Sequence, residues 1–297
     1  LKIAKYYLAA IFAYATWGFF SLVLKPLSGY SSVDILFYRI FSCAILMLLA
    51  TALFKRGELV KTFSDMKALP SKQRRNMLLL NVSGSVFLNI NWFSFIYVLN
   101  HVSIKATSLA YLVCPIMTTL LAYWLLHEKL SKVQWTAVGL SIMGCLILSY
   151  ANIMDMVYGI VIGFTYAAYL VSQRKNVGFD KFILLTFHIS LSALILMPFY
   201  PAYSGPLPTE ALFWLLIEVI AVGFTVIPLF LNLYALKGLN SSTVGMLLNI
   251  NPIIGFVIAA LVFHEPISSL QMAAYSIIFL SVLVFNLHYL FKKEQRH

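Results

Sequence analysis

Arg39 lies seven residues into an apolar stretch that begins at residue 32. In a helix rising 1.5 Å per residue, that places it about 10 Å deep. A charge at the centre of a bilayer costs about 2.5–3.5 kcal/mol on insertion scales. It must therefore face protein, water or a counter-ion. Its planar fork suits bidentate recognition of a carboxylate, and we read it as the anchor for an anionic solute. A structural ion pair or outward snorkelling is the competing role. Glu218 lies at a similar depth in another apolar run. It is Arg39's counter-charge, a proton-coupling site with a carboxyl perturbed by desolvation, or an interfacial residue. His188 titrates near neutrality in water and is the other proton-coupling candidate. A hydrogen-bonded core position is its blander reading.

Polar residues recur at helical spacing within the apolar runs. One line is Asn81, Ser85, Asn89, Trp92 and Asn100, with Asn91 just off it. A second is Ser108, Tyr111, Pro115 and Thr118, and a third is Ser242, Gly245, Asn249 and Pro252. Amides avoid lipid, so these faces turn inward, as cavity lining or as bonds between helices. Trp17, Tyr166 and Tyr169 are candidate aromatic walls. Arg39, Trp17, Asn91, Trp92, Tyr111 and Asn249 form the candidate substrate-binding set. Pro115 and Pro252 are candidate helix breaks, because each removes a backbone hydrogen bond.

Residues for catalysis are missing from the pattern. His127-Glu128 and His264-Glu265 lack the second His of a zinc-protease motif. There is no G-x-S-x-G and no phosphate-binding loop, and the ten acidic residues are scattered. Cys43, Cys114 and Cys145 all fall inside apolar runs without metal-ligand spacing. No catalytic residue, metal or cofactor is expected. A membrane enzyme or a channel or receptor is the alternative class to a carrier.

The elements that must position these residues follow from composition. Hydrophobic residues make up 61% of the 297, and charged residues only 10%, against roughly 25% charged in a soluble domain. Membrane spans need about 20 apolar residues. Ten such runs are expected at 6–24, 32–54, 77–99, 105–126, 133–150, 154–172, 182–200, 212–235, 242–263 and 269–291. The first run has no convincing cleavage site and is read as a retained helix. With the N-terminus inside, eighteen of the 21 Lys and Arg residues fall in inner segments. Lys25 and Lys105 lie outside, and Arg39 lies within a span. The positive-inside rule therefore sets both termini in the cytoplasm. The net charge of +11 has no interleaved aromatic face of the kind that binds nucleic acid, so no nucleic-acid partner is expected.

The chain also repeats at an offset of 137 residues. Tyr97 matches Tyr234, Leu99 matches Leu236, and Pro115 matches Pro252. His127-Glu128 matches His264-Glu265, and Gln134 matches Gln271. Two halves, 1–150 and 151–297, then hold five helices each. An odd number per half inverts the second copy, a symmetry that supports alternating access around a midplane site. Gly159 and Gly163 mark close helix packing. Glu128 and Glu265 are expected to secure the turn into the next helix.

The stretch Tyr97-Val98-Leu99-Asn100-His101-Val102-Ser103-Ile104-Lys105-Ala106, followed by Pro115 and by His127-Glu128-Lys129-Leu130-Ser131, resembles an EamA-type repeat. The second copy runs from Tyr234 through Pro252 to His264-Glu265-Pro266-Ile267-Ser268. The chain is thus similar to the drug/metabolite transporter superfamily. The RarD branch is closest, on Trp17-Gly18-Phe19-Phe20, Tyr38-Arg39-Ile40, Asn91-Trp92-Phe93, the run from Ser108 to Pro115, and Arg174-Lys175-Asn176-Val177-Gly178. Before Pro252 the chain carries Asn249-Ile250-Asn251, where the pattern has an aromatic and a small residue. The resemblance implies an all-α, ten-helix permease of the bacterial inner membrane with a central cavity. It also implies export or exchange of small metabolites or drugs. Amino-acid-like solutes suit Arg39. The lipid bilayer and a small-molecule substrate are the expected partners, with a second copy of the chain as the candidate protein partner.

Overall fold

A computed structural model describes residues 3–101, 104–149, 153–176, 179–264 and 266–291. Among these residues the chain is all-helical, with ten helices long and apolar enough to cross a membrane. They are α1 Ala4–Leu27, α2 Ser32–Phe54, α3 Ser71–Val98, α4 Leu109–Leu126, α5 Lys132–Ser149, α6 Met154–Arg174, α7 Lys181–Tyr203, α8 Ala211–Ala235, α9 Ser241–Leu261 and α10 Ser269–Leu287. Helices are the natural outcome for such runs, since lipid offers no partner for a bare amide. α3 starts six residues before the sequence pattern suggests. Its polar first turns extend the helix beyond the apolar stretch.

Helix starts carry the expected chemistry. Ser31 Oγ accepts the Val33 amide at 3.3 Å before α2. Asp180 Oδ1 accepts the Phe182 and Ile183 amides at 2.9 and 3.1 Å before α7. Before α5, Ser131 and Gln134 form a reciprocal capping box at 2.9 and 3.3 Å. Ser268 and Gln271 repeat it before α10 at 2.9 and 3.2 Å. His127 and His264, which precede these two boxes, share a left-handed φ of 53°. The 137-residue repeat is thus visible in backbone geometry. Capping boxes, not Glu128, secure the turn into α5.

The bundle is apolar outside and partly polar within. Leu49, Leu53, Leu146 and Leu194 are exposed on the flanks, whereas Ser85, Thr118, Asn232, Asn249 and Ser281 are fully enclosed. Gly163 lets α6 approach α4 closely: a Cβ there would stand 3.1 Å from the Cys114 nitrogen.

The proline-bearing spans α4, α8 and α9 differ in regularity. α4 runs helically through Pro115 without a break, which corrects the expectation for that residue. Its neighbours close the ladder around the missing N–H, and Thr119 Oγ1 donates to the Pro115 carbonyl at 2.9 Å. α9 is interrupted: Ser241–Leu247 and Ile250–Leu261 are separate helical pieces joined by a turn at Leu248 and Asn249. The Asn251 amide bonds the Leu248 carbonyl at 3.1 Å, the acceptor that Pro252 leaves free. α8 holds a π-bulge at Val222–Val226 just before Pro228. No motif reading had marked this irregularity, although Pro228 lies in plain view within an apolar run.

Candidate functional site

Arg39 projects from α2 into the bundle. Its Nε is enclosed and has no hydrogen-bond partner. Among the described residues, no ion pair or hydrogen bond reaches the guanidinium. Its contact is the face of Trp92 on α3, with Cζ 5.5 Å from the ring centroid, within cation–π range. Cys43, one turn on, and Tyr111 of α4 lie within its electrostatic reach. A buried polar group without a partner is costly. Arg39 as a whole is half-buried, and its guanidinium offers donors that could meet an acceptor.

The expected counter-charge is elsewhere. Glu218 sits on an exposed side of α8 and accepts a hydrogen bond from Ser42 Oγ at 2.8 Å. The Arg39–Glu218 pairing is therefore not formed. Seven residues from each helix start give equal depth, but depth leaves the rotational face open, and here the faces differ.

Trp17 and Pro228 are linked by one bond. Proline at 228 deprives the Phe224 carbonyl of its usual amide donor. The Trp17 indole N–H supplies that bond from α1 at 2.7 Å. Cys43 Sγ likewise donates to the Ala221 carbonyl at 3.3 Å, and Thr225 Oγ1 donates to the Ile220 carbonyl at 3.0 Å. The bulge is thus held by α1 and α2, and the Trp17 N–H is committed to it. The Trp17 ring lies 5.8 Å from Tyr14 and 5.9 Å from Tyr166. Tyr166 is 5.9 Å from Tyr169, which is 5.7 Å from His188. An aromatic column therefore links Trp17 to His188 through the bundle. Asn232 Nδ2 donates to the Tyr166 hydroxyl at 3.2 Å. The Tyr14 and Tyr169 hydroxyls and the Asn232 carbonyl oxygen are enclosed without partners. Asn249, at the break in α9, donates to the Met246 carbonyl at 3.3 Å and leaves its own side-chain oxygen unpaired.

Asn91 is placed differently from Trp92. Its amide donates to the Ile162 carbonyl at 2.9 Å and to Thr165 Oγ1 at 3.3 Å. It ties α3 to α6. The structure brings Arg39, Trp92 and Tyr111 together and sets Asn91 at a helix joint. Side chains of Asn100, Lys105 and Ser108, and all of Glu265, lie outside the described residues.

The opposite end of the bundle is densely bonded. Asn81 Oδ1 meets His188 Nε2 at 3.0 Å and accepts Asn176 Nδ2 at 2.9 Å. Asn81 Nδ2 returns a bond to Asn176 Oδ1 at 3.2 Å. Asn176 also donates to Gln173 Oε1 at 2.6 Å, and Lys181 Nζ donates to the Asn176 carbonyl. Arg174 donates to the Leu236 carbonyl at 2.5 Å. Glu128, beyond α4, reaches across to α9: its carboxylate accepts the Ser241 amide at 2.7 Å, the Ser242 amide at 3.0 Å and the Ser242 hydroxyl at 2.6 Å. That is a charge-assisted cap on a helix N-terminus. The expected structural role of Glu128 is thus present, but on α9 rather than on the next helix. His188 Nδ1 is enclosed and unpartnered. Among the described residues, no three His, Cys, Asp or Glu side chains converge on a metal-sized site.

The EamA-like transporter family matches residues 4–150 and again 154–287. The chain is 29% identical to an uncharacterized transporter, YojE, of Bacillus subtilis, over 92% of this chain and 91% of the relative. It is 26% identical to Protein RarD of Streptomyces exfoliatus, over 92% and 85% respectively. Against Protein RarD of Escherichia coli the figures are 24%, 94% and 92%. A solved crystal structure superimposes with a TM-score of 0.75 at 12% identity, covering 96% of this chain and 97% of that one. At that identity the likeness speaks for the fold.

Proposed function

The chain belongs to the EamA-like transporter family, near RarD, and on that premise we propose that it is a secondary transporter working by alternating access. Its solutes are small organic metabolites or drugs with an anionic group, amino-acid-like molecules among them. The observation that carries this reading is half-buried Arg39 against Trp92, its enclosed Nε without a hydrogen-bond partner. A solute carboxylate would take the two-pronged bond that no protein group takes. Its body would lie along Tyr111, Trp17 and Tyr166, and its donors would meet the unpaired Asn232 or Asn249 oxygens.

In this reading the conformation is closed at the end that holds the Asn81–Asn176–His188 cluster and the Glu128 cap. The basic segments lie at that end, and by the positive-inside rule it would be cytoplasmic, with both termini on the cytoplasmic side of the inner membrane. Transport requires these bonds to open in turn. The fivefold helix count of each half and the shared geometry at His127 and His264 support an inverted repeat as the route. Uphill work draws on a gradient, with His188 and Glu218 as candidate coupling groups.

Counterflow in proteoliposomes tests the proposal. Vesicles loaded with unlabelled amino acids, nucleobases or drugs are given labelled counterparts, with and without a pH gradient. Saturable exchange of an anionic or zwitterionic solute is expected. Exchange restricted to cations would remove Arg39 from the binding role, and chemical conversion of the solute would favour a membrane enzyme.

A further inference from the structure

A helix at Arg56–Ala68 lies between α2 and α3 and is too polar to span. One face of it packs on the bundle. Glu58, Lys61, Thr62 and Asp65 line a cleft of about 190 Å³ together with Phe179, Asp180 and Lys237, and Thr62 is buried. At 100° per residue, the opposite face presents Arg56, Val60, Phe63 and Lys67 within a sector about 60° wide. Val60 is 62% exposed and Phe63 59% exposed, and Arg56 and Lys67 are exposed beside them. Both acidic residues of the helix thus turn toward the protein. The outward face carries two cations, two large apolar groups and no anion.

We propose that this outward face docks on the bilayer surface and binds the headgroups of anionic phospholipid. Charge and position agree. The helix follows directly from the lipid-exposed end of α2, where Leu53 and Phe54 are 72% and 81% exposed. It leads into Lys72, Arg74 and Arg75, all exposed at the start of α3. A surface helix with basic and apolar residues on one face lies in the interfacial plane and favours anionic lipid. Val60 and Phe63 enter the acyl boundary, while Arg56 and Lys67 meet phosphates from either side of them. Glu58 and Asp65 line the cleft beside Lys61 and Lys237, on the side away from the outward face. Docking would hold the α2–α3 connection to the membrane plane while the spans above it rearrange.

Native mass spectrometry of the purified full chain from mixed phosphatidylglycerol and phosphatidylcholine micelles tests this. The unaltered chain is expected to retain phosphatidylglycerol preferentially. The double variant Arg56→Gln, Lys67→Gln should lose about tenfold or more of that preference. Lys61→Gln removes one cleft-facing charge, as the single Lys67→Gln removes one outward charge, and should leave the preference intact where Lys67→Gln lowers it. Val60→Asn with Phe63→Asn should weaken retention of both lipids. Equal losses in the outward-face and Lys61 variants would reduce the effect to net charge and overturn the proposal, as would full retention in the double variant. Elution as a monodisperse peak checks folding, and the single Lys67→Gln variant serves where the double one aggregates.

Discussion

Arg39 and Glu128 are both charged side chains held within or against the bundle, and they are treated in opposite ways. Glu128 has each carboxylate oxygen bonded, to two amides and a hydroxyl of α9. Arg39 has an aromatic face and, among the described residues, no hydrogen-bond partner. Around Glu128's end, Asn81, Asn176 and Gln173 are cross-linked, and Lys181 and Arg174 donate to backbone carbonyls. Enclosed oxygens without partners, such as those of Ser241 and Asn249, occur beside both groups of helices, so the contrast lies in the two charges themselves. A satisfied charge fixes one arrangement of helices, whereas an unsatisfied one leaves binding energy for a solute to collect. In the proposed mechanism this difference would separate the part that closes from the part that binds.

The sharpest break in that comparison would come from Arg39→Ala. Counterflow should fall at least about a hundredfold, equivalent to about 2.8 kcal/mol, with insertion and thermal stability retained. Arg39→Lys keeps the charge but not the fork and should recover only part of the rate. Unchanged transport in Arg39→Ala would return the residue to a packing role.

Glu128→Ala should act next most strongly, and on conformation rather than on affinity. It removes three charge-assisted bonds, each worth about 1.5–3 kcal/mol when made to an ion, so closure at that end weakens. Cys114 is buried in the bundle beneath Tyr111. In a Cys43→Ser, Cys145→Ser background, a thiol reagent supplied from that side should label it about tenfold faster or more. Equal labelling before and after the substitution would mean that Glu128 only caps α9.

Much of this contrast was legible in residue types, and less in their partners. Arg39, Trp92 and Tyr111 stand out because charge and aromatic groups are rare events in an apolar run, and they do meet. Periodicity placed Asn91 and Trp92 nearly together, yet one residue of helical rotation separates a joint to α6 from the Arg39 site. Depth suggested Glu218 for Arg39, and rotation denied it. Proline identity did not tell which helix breaks. Pro115 is carried within a continuous helix, Pro252 follows a turn, and Pro228 sits behind a π-bulge that Trp17 completes from α1. Those outcomes depend on donors from other helices, which no local pattern contains. The sequence offers His188 as a proton site or as a core residue, and its bond to Asn81 is compatible with both.

Asn176→Ala should have a moderate effect that falls on stability. It strands the Gln173 side-chain oxygen and removes the Asn81–Asn176 bonds in an enclosed place, at a cost of about 1–3 kcal/mol. The apparent melting temperature in detergent should drop by a few degrees. Asn91→Ala removes one interhelical joint and should cost about 0.6 kcal/mol, the average for such bonds in a bundle. If the order were reversed, the closed end would not be the better-bonded one.

The smallest effect is expected where a clasp is exposed. Between α1 and α2, the Tyr30 hydroxyl donates to Glu210 Oε2 at 2.6 Å just before α8. That bond holds the Glu210 carboxyl below its ordinary range, chiefly through the Tyr30 hydroxyl, and the same bond raises the Tyr30 phenol. The signs follow from linkage. A lowered carboxyl stabilises above the unfolded value of about 4.5 and loses that contribution as acid takes the pH through the folded value. A raised phenol stabilises below about 10 and loses its contribution as base takes the pH through the folded value. The clasp is therefore at full strength between these limits. Its exposure to solvent screens it, so Glu210→Gln should leave melting near neutral pH almost unchanged while flattening the acid limb of the stability profile. An acid limb identical in both proteins would assign that limb to other carboxylates. A large loss at neutral pH would show instead that a surface clasp can rival the enclosed bonds of Glu128, which is the one result that would erase the distinction between the two ends.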